Sequence, residues 1–155
     1  METIPLPNAQ FDMPSASHGI LKTVGAVIAA LVTWFFVATV LNLALRAWWP
    51  HYHEAETTFN FTFAMKLARL FLGAISSLGA GFVATWIGKC RMRTAIVTGI
   101  VLLGFFIPGH YLLWNKFPVW YHLTFLVSLL PLTLLGAALN HRAGRKAPSI
   151  DGRSK

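Results

Sequence analysis

Apolar side chains fill four long blocks of this chain, and charge is confined to the tails and to the stretches between them. The blocks run from Thr23 to Leu45, Leu70 to Gly88, Thr94 to Trp114 and Pro118 to Leu139, and none contains an acidic residue. A helix gains about 1.5 Å per residue, so about 20 apolar residues cross the hydrocarbon core of a bilayer. Each block meets that length. In water, four such helices would leave nearly every face apolar with nothing to cover it, so the cover is lipid. No strand-like alternation suggests a barrel, and a helix satisfies its own backbone polar groups in lipid. The expected fold is all-α, an integral membrane four-helix bundle running up-down-up-down. Residues 1–18 read as a flexible N-terminal tail, 19–140 as the membrane domain and 141–155 as a basic C-terminal tail.

Composition changes the picture in one respect. With 55% hydrophobic and 12% charged residues, the chain lies far from the soluble balance of about 25% charged. Its net charge of +8 would point to nucleic acid in a soluble protein. Here the basic residues flank the spans, where they set topology and meet anionic headgroups, so the expected partner is the lipid bilayer and not nucleic acid. Nine Lys and Arg share the side of the two tails and the 89–93 turn, and four (Arg46, Lys66, Arg69, Lys116) share the other. The positive-inside rule then expects both termini in the cytoplasm. Trp48, Trp49, Tyr52, Tyr111, Trp114, Trp120 and Tyr121 gather toward the opposite, outer face, where amphipathic rings favour headgroup depth. Cys90, the only cysteine, excludes an internal disulfide. Its neighbours Lys89 and Arg91 favour a thiolate, and an ordinary loop cysteine is the plainer reading.

The sharpest pattern lies in the second span. Gly73, Ser77, Gly81 and Thr85 recur every four residues beside a parallel row of Ser76, Ala80, Ala84 and Gly88. At 3.6 residues per turn these rows cover about half the helix. Phe71, Ile75, Phe82, Val83 and Trp86 take the other half. Helices in lipid associate through close approach over small residues, so this span is expected at the centre of the bundle, its bulky half toward lipid or a partner. Thr94 is a candidate cap for the third span. Pro108 and Pro131 should interrupt the hydrogen-bond ladders of the third and fourth.

Extended outward, the small half of the second span also carries Lys66 and Arg69, while Thr39, Asn42 and Arg46 share one face at the outer end of the first. Three readings stay open there. Lys66 and Arg69 snorkel or pair with Glu54 and Glu56 of the loop. Alternatively Asn42, Arg46, Lys66 and Arg69 form an outward-facing cationic pocket for an anionic lipid headgroup or small anion, which a planar guanidinium suits. In the third, His51, His53 and Glu54 combine with His110 and His122 as Zn²⁺ or Cu²⁺ ligands. That last set assumes a convergence the sequence does not give.

Motifs for chemistry are absent. No span holds an acid for proton coupling, and there is no HExxH, paired cysteine or GxSxG. Haem ligation needs facing imidazoles within spans, and only His110 is read as lying inside one. No cofactor is expected. The segment from Gly79 to Leu139, through Gly79-Ala80-Gly81-Phe82-Val83-Ala84, Pro118-Val119-Trp120-Tyr121-His122 and Pro131 with Leu135-Gly136-Ala137, resembles small uncharacterised four-helix proteins of the bacterial inner membrane. The resemblance covers about 40% of the chain and implies an architecture and a location without an activity. The leading expectation is a non-enzymatic accessory or scaffold subunit serving a larger membrane protein or a second copy. The alternative is a small transporter or anionic-lipid-binding protein, and an enzyme ranks third.

Overall fold

The computed structural model describes residues 15–89 and 92–145, with side chains described at 19–89 and 92–143. Cys90 and Arg91, and the parts of both tails beyond these ranges, lie outside the described residues. Within them the chain is helical: α1 Ser15–Trp48, α2 Tyr52–Thr58, α3 Phe63–Ile87, α4 Met92–Leu112 and α5 Val119–Arg145. Four of these, α1, α3, α4 and α5, are long and apolar enough to cross a membrane. The chain is an all-α, multi-pass membrane protein.

The elements depart from the sequence expectation in several places, beginning with α1 and α5, which extend to Ser15 and Arg145, past the expected limits of the membrane domain at 19 and 140. The connection expected as a loop between the first two spans contains α2, whose Tyr52 and Ala55 point into the bundle. Seven residues are too few to print a helical period in a sequence. Left-handed backbone at His51 (φ 62°) and Phe59 (φ 59°) breaks α2 from its neighbours. Next, α3 begins at Phe63, seven residues before the apolar block, because the Thr62 hydroxyl accepts a hydrogen bond from Met65 N and caps it there. Finally, α4 starts at Met92, so Thr94 is a buried residue of its first turn and not its cap. Helices α4 and α5 run through Pro108 and Pro131 without a break.

Chain direction alternates between successive long helices. Trp34 meets Ser77 and Arg46 approaches Arg69 through a shared carboxylate, so α1 and α3 are antiparallel. Gly99 faces Leu130 and His110 faces His122, so α4 and α5 are too. In contrast, α3 and α5 are parallel neighbours, as Gly73 with Phe125, Gly81 with Thr133 and Thr85 with Asn140 show. Helix α3 packs against all the other long helices, most extensively α5 and α1.

The α3–α5 seam explains the small-residue rows. Gly73, Ser76, Ser77, Ala80, Gly81, Ala84 and Thr85 are all buried. A Cβ on Gly81 would overlap the Thr133 carbonyl, and one on Gly136 would overlap the Leu78 carbonyl. Each helix therefore presents a glycine to the other's backbone, the close approach that substitutes for hydrophobic drive in lipid. Buried hydroxyls tie α3 both to α5 across this seam and to α1 on its other flank. Ser77 and Thr85 donate to their own helix, to the carbonyls of Gly73 and Gly81, and accept from Trp34 Nε1 (3.1 Å) and Asn140 Nδ2 (3.1 Å). On the opposite half of α3, Phe71 and Trp86 are each 68% exposed, as lipid-facing side chains are.

Candidate ligand-binding site

Toward the α2 end of the bundle, α1 and α4 separate. Lower down they meet through Trp34, Phe35, Phe105 and Phe106, whose rings pack 4.5–6.2 Å apart. Above that aromatic plug lies a cavity of about 560 Å³. Its plug end is lined by Trp34, Phe35, Phe106 and Phe125, and its other end by Asn42, Arg46, Arg69, His110 and His122. Trp34 and Arg46 lie twelve positions apart on one helix, so the cavity extends roughly 18 Å along α1. Gly109 borders it, and a Cβ there would meet nothing within 4 Å.

The polar end is held from behind by α2. Asn42 Nδ2 donates to Glu56 Oε1 at 2.9 Å, Arg46 Nε to Glu56 Oε2, and Arg69 Nη1 to Glu56 Oε1 at 3.3 Å. The Tyr52 hydroxyl donates to Asn42 Oδ1 (3.2 Å) and accepts from Arg69 Nη1 (3.3 Å). This closed circuit fixes the orientation of the Asn42 amide, since its carbonyl and its NH₂ each have one compatible partner. The Arg69 guanidinium also lies 4.8 Å over the Phe61 ring. Glu56 and Tyr52 do not border the cavity; they brace the residues that do.

Electrostatics fix the charge of this rim. Burial by itself would push the Glu56 carboxyl up, but hydrogen bonds from Asn42 and Arg46 and the charges of Arg46 and Arg69 outweigh it and hold it below the ordinary 4.5. Glu56 is thus ionised at neutral pH. Burial raises the Tyr52 phenol above 10.0 against the opposing pull of Arg69, so Tyr52 is a neutral donor. Two guanidinium groups against one carboxylate leave the rim one positive charge, with Arg69 Nε–H buried and unpartnered.

One helical turn from Phe106, on the rim side of the plug, His110 of α4 and His122 of α5 meet Nδ1 to Nδ1 at 2.8 Å. His122 is wholly buried, stacked on Trp114 at 4.9 Å, while His110 stacks on Phe125 at 4.6 Å. His122 Nε2 has no hydrogen-bond partner.

The candidate residues therefore separate. Asn42, Arg46 and Arg69 come together at the cavity, whereas Lys66 stays outside its lining and its side chain makes no ion pair or hydrogen bond among the described residues. Arg69 pairs with Glu56, as one reading expected, and Arg46 joins it, which was not expected. The four-histidine set does not converge: His51 pairs with Glu54 on the exposed surface of the α2 segment, and among the described residues no three His, Cys, Asp or Glu side chains gather as a metal site. His122 lies within α5 facing His110, which corrects the expectation that only one histidine sits inside a span. Sequence reasoning missed Trp34 and Tyr52. A tryptophan at the middle of a span, away from either headgroup belt, was the available signal for the first. Nothing local marked the second, which reads as one more interfacial ring.

Compared with protein-family models, curated proteins and solved structures, the chain matches none.

Proposed function

We propose that this protein binds, in the cavity between α1 and α4, a single-chain amphiphile whose head is an oxyanion. The observation that carries the reading is the division of one cavity into two chemistries. Its length of roughly 18 Å along α1 is close to the ~15 Å half-thickness of a bilayer's hydrocarbon core. An acyl chain can reach the Trp34–Phe106 plug near mid-membrane while its head stays at the level of Arg46 and Arg69. The volume suits a small ligand, since such sites span about 300–1,000 Å³. Guanidinium N–H groups braced by Glu56 are preorganised to meet a carboxylate or phosphate, and a rim with one surplus positive charge favours an anion. Glu56 itself limits that surplus, so binding is moderate and reversible, as a carrier or lipid-handling protein needs.

The scaffold reading rested on the bulky face of α3, and the exposure of Phe71 and Trp86 needs only lipid to explain it. A second groove, about 360 Å³ between Trp48, Phe71 and Ile75, lies on that face and is lined by apolar residues alone, so it offers a head group nothing. The basic residues of the tails and the 89–93 turn support an orientation with both termini in the cytoplasm, the cavity's polar end then facing the outer leaflet of a bacterial inner membrane. Reporter fusions at each terminus test the orientation.

Native mass spectrometry of the detergent-solubilised protein tests the binding. Lysophosphatidate or oleate should form a one-to-one adduct that a monoacylglycerol of equal chain length does not. Arg69→Gln should weaken that adduct, and Gly109→Leu, whose Cβ meets nothing within 4 Å and whose side chain then occupies the cavity border, should abolish it. Equal retention of the neutral and anionic probes would remove the proposal.

A further inference from the structure

We infer that His110 offers a neutral Nε2–H donor to the head of this ligand, and that His122 is the positioning residue that fixes His110 in that tautomer. The ligand half of the inference rests on the cavity being a binding site; the tautomer half stands on the histidine pair alone. Two imidazoles with Nδ1 atoms 2.8 Å apart share one proton, so one ring donates and the other accepts. Both cannot be imidazolium at this separation, because two like charges in contact disfavour each other.

The buried end of the pair decides the direction. His122 is wholly enclosed and its Nε2 meets no partner. If His122 Nδ1 accepted, its own proton would sit on Nε2 and leave an N–H donor orphaned in the interior, which native structures rarely tolerate. If His122 Nδ1 donates, Nε2 keeps only a bare lone pair and no N–H is stranded. The pair therefore runs from His122 Nδ1–H to His110 Nδ1. That places the His110 proton on Nε2, the second nitrogen being set by the bond the first one makes. His110 is half-buried and borders the cavity, and its Nε2 makes no bond within the described residues.

The polar end then presents Arg46, Arg69 and His110 as donors, and Asn42 has its carbonyl occupied by Tyr52. Such an end selects a head rich in acceptors. Phosphate, with more terminal oxygens than carboxylate, can meet donors arriving from α1, α3 and α4 together. Trp114 stacked on His122 and Phe125 stacked on His110 hold the rings in register for this contact.

Nitrogen-15 NMR of histidine-labelled protein in phosphatidylcholine nanodiscs at neutral pH reads both tautomers without any added ligand. His110 should show the Nε2–H form and His122 the Nδ1–H form; an Nδ1–H form at His110 overturns the assignment. Lysophosphatidate binding then tests the role. His110→Phe should weaken it about tenfold, the loss of one hydrogen bond to a charged acceptor, while His110→Gln, whose amide reaches the Nε2 position, should retain most of it. His122→Phe should mix the His110 tautomers and weaken binding less, and His122→Asn should restore a single tautomer. Wild-type binding that His110→Phe leaves unchanged would overturn the donor role while the cavity reading survives. Wild type that binds neither lysophosphatidate nor oleate would instead remove the cavity reading and the donor role together, and binding of oleate alone would overturn the phosphate preference, with the NMR result still deciding the tautomers.

Discussion

The α3–α5 seam and the α1–α4 cleft are built by opposite rules within one bundle. Along the seam, Gly81 and Gly136 each meet the other helix's backbone and Gly73 meets the Phe125 ring, so the helices touch with no room for anything else. In the cleft, the two helices meet through the rings of an aromatic plug, and beyond it lies a cavity whose border includes Gly109, open to space. The same residue type thus means contact at Gly81 and vacancy at Gly109. In lipid, where apolar surface alone does not drive helices together, the seam supplies the cohesion and the cleft is free to stay open.

The contrast breaks most visibly under paired substitution. Gly81→Leu or Gly136→Leu inserts a side chain against a carbonyl that cannot move, so the loss should exceed the ~1–3 kcal/mol of ordinary overpacking and end in aggregation on size-exclusion chromatography. Gly109→Leu should elute as wild type and unfold within about 0.5 kcal/mol of it. If Gly109→Leu were as damaging as Gly81→Leu, the two regions would not differ in packing.

Smaller effects sharpen the rim. Glu56→Gln leaves Arg46 and Arg69 without their carboxylate and should lower stability by about 1–2 kcal/mol, a figure discounted because both arginines keep solvent contact. It should also free those guanidinium groups and tighten binding of an anionic probe, whereas a purely structural role would weaken it. Because the Glu56 carboxyl titrates below its unfolded value of 4.5, its contribution is present above that pH and is lost as pH falls through the lower folded value. Thermal melts of wild type should therefore drop below pH 4.5 more steeply than those of Glu56→Gln. Least of all, Trp34→Phe removes the hydrogen bond to Ser77 and should cost about 0.6 kcal/mol, the usual scale between membrane helices, while loosening the plug.

The two regions also differ in how far a sequence reveals them. Small residues every four positions announce the seam, since Gly73, Ser77 and Gly81 can share one helix face in only one way. The cleft leaves no such trace. Trp34, Phe35 and Phe106 read as generic membrane residues, and the space between them depends on how two helices diverge. Arg46 and Arg69 stood out because charge at membrane depth demands a partner. Which partner, Glu56 and not Glu54, depended on a seven-residue helix whose ends are set by left-handed backbone at His51 and Phe59. Helix α3 likewise starts earlier than its apolar block because capping at Thr62, and not hydropathy, sets its end.

The occupancy of the cleft is tested most directly by photo-crosslinking in nanodiscs with an oleate analogue carrying a diazirine near the end of its chain. With the head at Arg46 and Arg69, adducts should map to Trp34, Phe35 and Phe106 and disappear in Gly109→Leu. Adducts spread over Phe71, Trp86 and the other lipid-facing side chains, unchanged by Gly109→Leu, would contradict the account.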